Sequence, residues 1–258
     1  MKKSLVVIAA AALLGAAGVV VTQQAFAAAV PIYHPTRLAH VGDAKQLVVV
    51  TGQSIPSTYS TLRTYQLGAD GTWTERFAAM PARNGYAGWA WYNVRKQDTG
   101  TSPAGTFPIT TAFGLKANPG TKIFYRPADS NDYWVGDNKD AKTYNIFQPS
   151  MSPKRTWRTS EAERIAAYPT QYEYAAVIDF NRPANNSLSY NATYGEYVTS
   201  KPVDVRRGSA IFLHINGKGS TAGCVSISRT NMIAVLKWLD PAKKPRIVMA
   251  PEASIGKA

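Results

Sequence analysis

The sequence predicts a mainly β protein with a few short helices, and three features point that way. Sixteen prolines and nineteen glycines are scattered through 258 residues, which breaks up long helices and rules out a bundle or coiled coil. Apolar residues make up 45% of the chain, enough for a substantial core at this length. Beyond residue 45 the chain divides into short β-type runs separated by turn residues.

The expected strands are 46–51, 61–67, 72–77, 122–126, 172–180, 210–215, 224–227 and 246–249, with turns at Ala69-Asp70-Gly71 and Asn118-Pro119-Gly120. Two segments read as helices. Ser160 is placed to cap a helix over 161–167, with acids in its first turn and Pro169 stopping it. Ser228 or Thr230 is placed to cap a second, in which Met232, Ile233, Val235, Leu236 and Leu239 recur at helical spacing up to Asp240-Pro241. Residues 136–158 are polar and long enough for a mobile flap.

At the start, Lys2 and Lys3 precede an apolar run from Leu5 to Val21 and the small-residue pattern Ala25-Phe26-Ala27. This reads as a secretory signal peptide, residues 1–27, cleaved after Ala27. An uncleaved anchor is the rival reading, because the run approaches the length of a spanning helix. A lead at 28–45, one catalytic-size domain at 46–251 and a tail at 252–258 follow. The formal charge of +13 suits an anionic envelope of wall polymers and lipid headgroups. Export and the dispersal of the cationic residues speak against nucleic acid.

Cys224 is the only cysteine, so no internal disulfide explains it in an oxidising compartment. It sits in a small-residue turn, Gly219 to Gly223, entering an apolar strand. Such a turn leaves backbone N–H groups open to an oxyanion, with those of Ala222, Gly223 and Cys224 the expected donors. A thiol is mostly protonated at neutral pH and needs an adjacent base. His34 and His40 lie in the lead, whereas His214 ends the run Ala210 to Leu213. A strand ending in His214, a glycine-bearing loop and a returning strand beginning at Cys224 would set imidazole beside thiol. No Asp or Glu occurs between Val205 and Leu239. The group orienting His214 is therefore expected to be a backbone carbonyl in 215–217, with Asp204 or Asp179 as distant alternatives.

These residues resemble the L,D-transpeptidase (YkuD-like) catalytic domains of bacterial cell-wall synthesis. Thr101 to Ile109 is similar to the family's Thr-Pro-x-Gly-Thr-Phe segment, with Ser102 as an extra residue. Trp134, Asp137, Tyr144-Asn145, Gly208 to His214 and Thr221 to Val225 resemble the series of one branch with a short His-Cys interval. The similarity spans roughly 36–251. It departs from better-known members at Ala222, where they carry a histidine directly before Gly-Cys, and at Ser226, near their asparagine or arginine.

The resemblance implies a β-sandwich acting on peptidoglycan stem peptides as a monomer without metal or cofactor. Cys224 would be the nucleophile and His214 the general base and acid. Thr221, Ser226, Trp134, Tyr144 and Arg229 are the expected substrate contacts, although aromatics in a β domain such as Trp134 and Tyr144 are more often core, and a solvated helix-start arginine accounts for Arg229 equally simply. The thioester would pass to an amine, to water or to a protein lysine. A noncatalytic wall-binding module that kept the fold is the alternative.

Overall fold

The computed structural model describes residues 30–258, so the 1–27 signal segment and its cleavage point lie outside the described residues. Gln46–Gly52 and Tyr59–Leu67, β-branched and aromatic runs, form an antiparallel pair at the centre of a twelve-stranded mixed sheet. Arg246–Pro251 lies parallel to the first of these, followed outward by Ser102–Pro108 and Trp89–Trp91. On the other side the order runs Met80–Arg83, Val225–Ile227, Phe212–Ile215, Ala175–Val177, Thr111–Gly114 and Phe124–Pro127, with Trp73–Glu75 pairing Tyr59–Leu67 off this path.

The sheet curls around an inner core. Val48 and Val50 from one arm and Leu213, Ile215, Val225 and Ile227 from the other belong to a single apolar cluster, closed by Met232, Val235 and Leu236 of the helix Arg229–Trp238. Two facing arms of one sheet thus take the place of two separate sheets. The helix starts as its sequence indicates: Ser228 is the cap, its hydroxyl accepting from Asn231 N–H at 3.3 Å.

Because strand side chains alternate, the central strands are buried on both faces. Leu47, Val49 and Val248 point outward, where Leu38 and Ala44 of the lead and Ile255 and Ala258 of the last residues cover them. Residues 252–258 are therefore a packed element, the 3₁₀ helix Glu252–Lys257, rather than a loose tail. From Pro31 to Ala258 the chain forms one compact unit. Among the described residues no helix is long and apolar enough to cross a membrane.

Three expectations are corrected. The helix at 161–167 is instead a 3₁₀ turn, the strand Ala162–Arg164 and a second 3₁₀ turn, and Ser160 makes no cap. The strand pairs with Tyr133–Val135, setting Glu163 opposite Trp134. Pairing outweighs the weak helix preference of so short a segment. The strand at 172–180 shrinks to Ala175–Val177, with Tyr172 in the 3₁₀ turn Gln171–Glu173. Residues 136–158 are no flap of polar surface: Asp137, Thr143, Tyr144, Asn145, Ile146 and Gln148 are all buried. Asp137 accepts from Arg158 N–H at 2.8 Å and from its guanidinium Nε at 2.9 Å, which holds the carboxyl down at about 2.

The packing of the last residues predicts that Ile255→Ala lowers unfolding free energy by about 2–4 kcal/mol in urea denaturation. An exposed change such as Glu252→Ala should stay within about 0.5 kcal/mol. Equal, negligible effects would mean that the terminal segment is not part of the folded core.

Candidate active site

The site is built on the parallel strands Phe212–Ile215 and Val225–Ile227, registered Leu213 to Val225 and His214 to Ser226. Leu213, Ile215, Val225 and Ile227 fill the inner core. Phe212, His214 and Cys224 consequently face the other way, against the small sheet that carries Trp134. The expected return strand is corrected here: the two strands run in the same direction, so Cys224 lies level with Phe212, below His214. The sulfur accepts from Phe212 N–H and donates to the Ala210 carbonyl, both at 3.3 Å. Neither of these bonds involves His214.

The loop between the strands is clamped. Thr221 bridges to the Gly85 region through Thr221 N–H to Asn84 O (2.9 Å) and Tyr86 N–H to Thr221 O (2.7 Å). Its hydroxyl donates to Cys224 O at 2.6 Å and accepts from Gly223 N–H at 3.1 Å. Ser102, the extra residue of its segment, donates to Gly223 O at 2.7 Å. Thr221 is thus a brace for the nucleophile turn, and Gly223 N–H is already committed to it, which removes Gly223 from the oxyanion donors. Neither Ala222 N–H nor Cys224 N–H is bonded to a backbone carbonyl outside the regular elements, and both residues line the cleft; the Cys224 N–H is directed at its own sulfur, whose pKa it helps to hold down.

That cleft has a volume of about 590 Å³ and brings together Cys224, His214, Glu163, Tyr172, Trp134 and Arg95. His214 Nδ1 lies 2.8 Å from Ile215 O. A carbonyl can only accept, so Nδ1 carries the hydrogen and Nε2 presents its lone pair. The orienting group is the backbone carbonyl expected from the sequence; Asp204 and Asp179 pair instead with Arg206 and Arg182. Burial depresses His214 to about 4, so its imidazole is neutral. Burial also pushes the Cys224 thiol up to about 12, and the Glu163 charge acts in the same direction. Phe212 N–H and the Arg95 guanidinium oppose this rise. Thiol and imidazole are therefore both uncharged in the resting cleft.

Arg95 was not legible as a site residue. Its buried guanidinium donates to Thr101 O at 2.8 Å and Arg207 O at 2.6 Å. A Cβ at Gly208 would come within 1.9 Å of it and one at Gly223 within 2.9 Å, so both glycines make room for the cation. Glu163 and Tyr172 were equally hidden. The Tyr172 hydroxyl donates to Glu163, and the Tyr172 ring stands edge-on to the His214 ring at 5.6 Å between centroids. Burial raises Glu163 to about 7 against the lowering effect of that hydrogen bond. Burial, then the Glu163 charge, holds the Tyr172 hydroxyl well above its ordinary range, so it remains a donor.

The remaining expected contacts fare differently. Trp134 does line the cleft, as a fixed wall: its indole N–H donates to Asn145 Oδ1 at 2.7 Å, and its ring meets Phe212 edge-on at 4.7 Å. Tyr144 is fully buried away from the cleft and donates to Gln97 Oε1 at 2.6 Å. Ser226 is enclosed beneath the cleft, with no partner for its hydroxyl among the described residues. Arg229 is an exposed ion-pair residue, 2.6 Å from Glu173, outside the cleft lining. Ser226 shares the face of Cys224 and His214 but is wholly covered, and it does not line the cleft; Arg229 is carried out of the cleft by its place at the helix start.

Among the described residues no cluster of three or more His, Cys, Asp or Glu is arranged to hold a metal. Comparison of the chain with family models, curated proteins and solved structures finds no match.

The two shifted groups predict opposite pH effects on stability. Glu163 moves from 4.5 up to about 7, so its contribution is full below pH 4.5 and is lost as pH rises to 7. His214 moves from 6.5 down to about 4, so its contribution is full above pH 6.5 and is lost as pH falls to 4. In urea unfolding, the stability of wild type relative to Glu163→Gln should therefore drop between pH 4.5 and 7. Relative to His214→Gln it should drop between pH 6.5 and 4, by up to ~3 kcal/mol. A flat difference curve would show that the group titrates alike in folded and unfolded chains.

Proposed function

We propose that the chain is an exported cysteine acyltransferase of the L,D-transpeptidase type, acting on peptidoglycan stem peptides outside the bacterial plasma membrane. One observation carries the reading: Cys224 and a neutral His214 with its tautomer set by Ile215 O open on the same cleft. The resemblance in the flanking segments supplies the substrate class. The formal charge of +13 suits anionic wall polymers.

In the first half-reaction His214 Nε2 accepts the Cys224 proton as the sulfur attacks the carbonyl of the L-centre preceding the terminal D-residue. The Ala222 N–H receives the developing oxyanion, joined by the Cys224 N–H once the sulfur has moved onto the carbonyl, which is why alanine serves at 222: the backbone supplies the donor. The imidazolium then protonates the departing amine, the C–N bond breaks and a thioester remains. An amine, water or a protein lysine resolves it. A second reading, a noncatalytic wall-binding module, draws on the neutral thiol and its purely backbone hydrogen bonds.

Incubation with a carbapenem separates the two. The catalytic reading predicts one adduct, located on Cys224 by peptide mass spectrometry. Cys224→Ala should take none, and His214→Gln should react on the order of 10²-fold more slowly. An unmodified Cys224, under conditions that acylate a known enzyme of this type, would favour the binding module. Wall binding would then persist in Cys224→Ala.

A further inference from the structure

Glu163 has no place in the acylation chemistry. The second nitrogen of His214 is satisfied by Ile215 O, so no carboxylate is needed to orient the base. Ionised Glu163 also opposes formation of the Cys224 thiolate, which makes it a burden in the first half-reaction. Even so, the fold holds it in the cleft wall, with Glu163 paired opposite Trp134 in the strand and its carboxylate bonded by Tyr172.

Its unused bonding capacity indicates what it is for. A carboxylate offers about four lone-pair sites, and among the described residues only the Tyr172 hydroxyl is bonded to it. No lysine or arginine pairs with Glu163 there, since Glu161 takes Arg158 and the Arg95 guanidinium is bound by carbonyls. The complement of such a group, facing a cleft that also holds a nucleophilic sulfur, is a cation with several N–H donors.

We propose that Glu163, braced by Tyr172, is the seat of a protonated primary amine, and that it takes the first proton from this amine when the acyl group is passed on. The transfer half rests on the acyl-transfer reading above; the binding half does not. Once Cys224 is acylated there is no thiolate left to destabilise, and the Glu163 charge is free to hold the ammonium. The ammonium gives one proton to the Glu163 carboxylate. The freed amine nitrogen attacks the thioester carbonyl, forming the C–N bond, and its second proton passes to His214 Nε2. The C–S bond breaks, the thiolate takes that proton back from the imidazolium, and protonated Glu163 releases its proton to water. The sum is thioester plus ammonium giving amide, thiol and one proton.

Two measurements on the full chain test this. In the first, 1,5-diaminopentane is titrated into wild type, Glu163→Gln and Glu163→Asp, with binding followed by backbone amide NMR shifts. Wild type should show shifts at Tyr172 and His214, Glu163→Gln should bind ~10-fold more weakly, and Glu163→Asp should recover part of the loss. Equal affinity in wild type and Glu163→Gln, or shifts confined elsewhere, would overturn the seat.

In the second, the acyl-enzyme formed from a tetrapeptide donor is resolved by 1,5-diaminopentane or by hydroxylamine, which is uncharged at neutral pH. Glu163→Gln should lose ~10-fold with the diamine while keeping hydroxylamine within ~3-fold. Equal loss with both nucleophiles would mark Glu163 as merely structural and overturn its part in transfer. If wild-type Cys224 accepts no acyl group, the acyl-transfer reading and the transfer half fall together, and the NMR titration still decides the amine seat.

Discussion

The register between Phe212–Ile215 and Val225–Ile227 governs the site. With Leu213 opposite Val225, four aliphatic side chains enter the inner core and His214 and Cys224 are both turned to the cleft. Each buried aliphatic contributes roughly 1.5–3 kcal/mol, so this face fixes the pairing. A slip of one residue in Val225–Ile227 would drive the Cys224 side chain into the core and break the shared cleft. The reactive residues ride on an arrangement stabilised by residues that take no part in chemistry.

The same burial that makes the framework rigid sets the electrostatics. A thiol raised to about 12 and an imidazole lowered to about 4 cannot exchange a proton spontaneously to give a charged pair in the empty cleft. In the proposed reaction, charge appears only together with a bound acyl donor, where the N–H groups of Ala222 and Cys224 and the nearby Arg95 cation meet it. A thiol held neutral is also less open to oxidation, because thiolates are the vulnerable form; that suits the proposed export. Glu163 fits this scheme as a charge that is unwelcome beside a thiolate and useful beside an ammonium.

Local features were legible in the sequence. Gln46–Gly52, Tyr59–Leu67 and Arg229–Trp238 have enough residues for their periodicity to register, and the Ser228 cap could be read directly. Cys224, His214 and the orienting Ile215 carbonyl lie close together in sequence, so composition and spacing sufficed. The parallel course of the two strands was not legible, because nearness in sequence suggests a return, whereas the Thr221 bonds to Asn84 and Tyr86 carry the loop back across the sheet. Strands as short as Ala162–Arg164 have no period to detect, and so Glu163 was assigned to a helix. Arg95 and Tyr172 reach the cleft through tertiary packing alone. Tyr144, Ser226 and Arg229 show the converse: matching a motif placed them near the site in sequence, while burial against Gln97, complete cover and an ion pair with Glu173, respectively, keep their side chains out of the cleft lining.

The central claim is a sulfur that is open to the cleft yet uncharged at rest. The pH dependence of Cys224 alkylation by a small neutral electrophile, in the ligand-free protein, examines both halves at once. A slow, measurable rate that is still climbing with pH above 9, the ordinary thiol value, matches a group displaced toward 12. A plateau below neutral pH would reveal a preformed thiolate–imidazolium pair, and complete inertness of the folded chain would place the sulfur out of reach; either result contradicts the account.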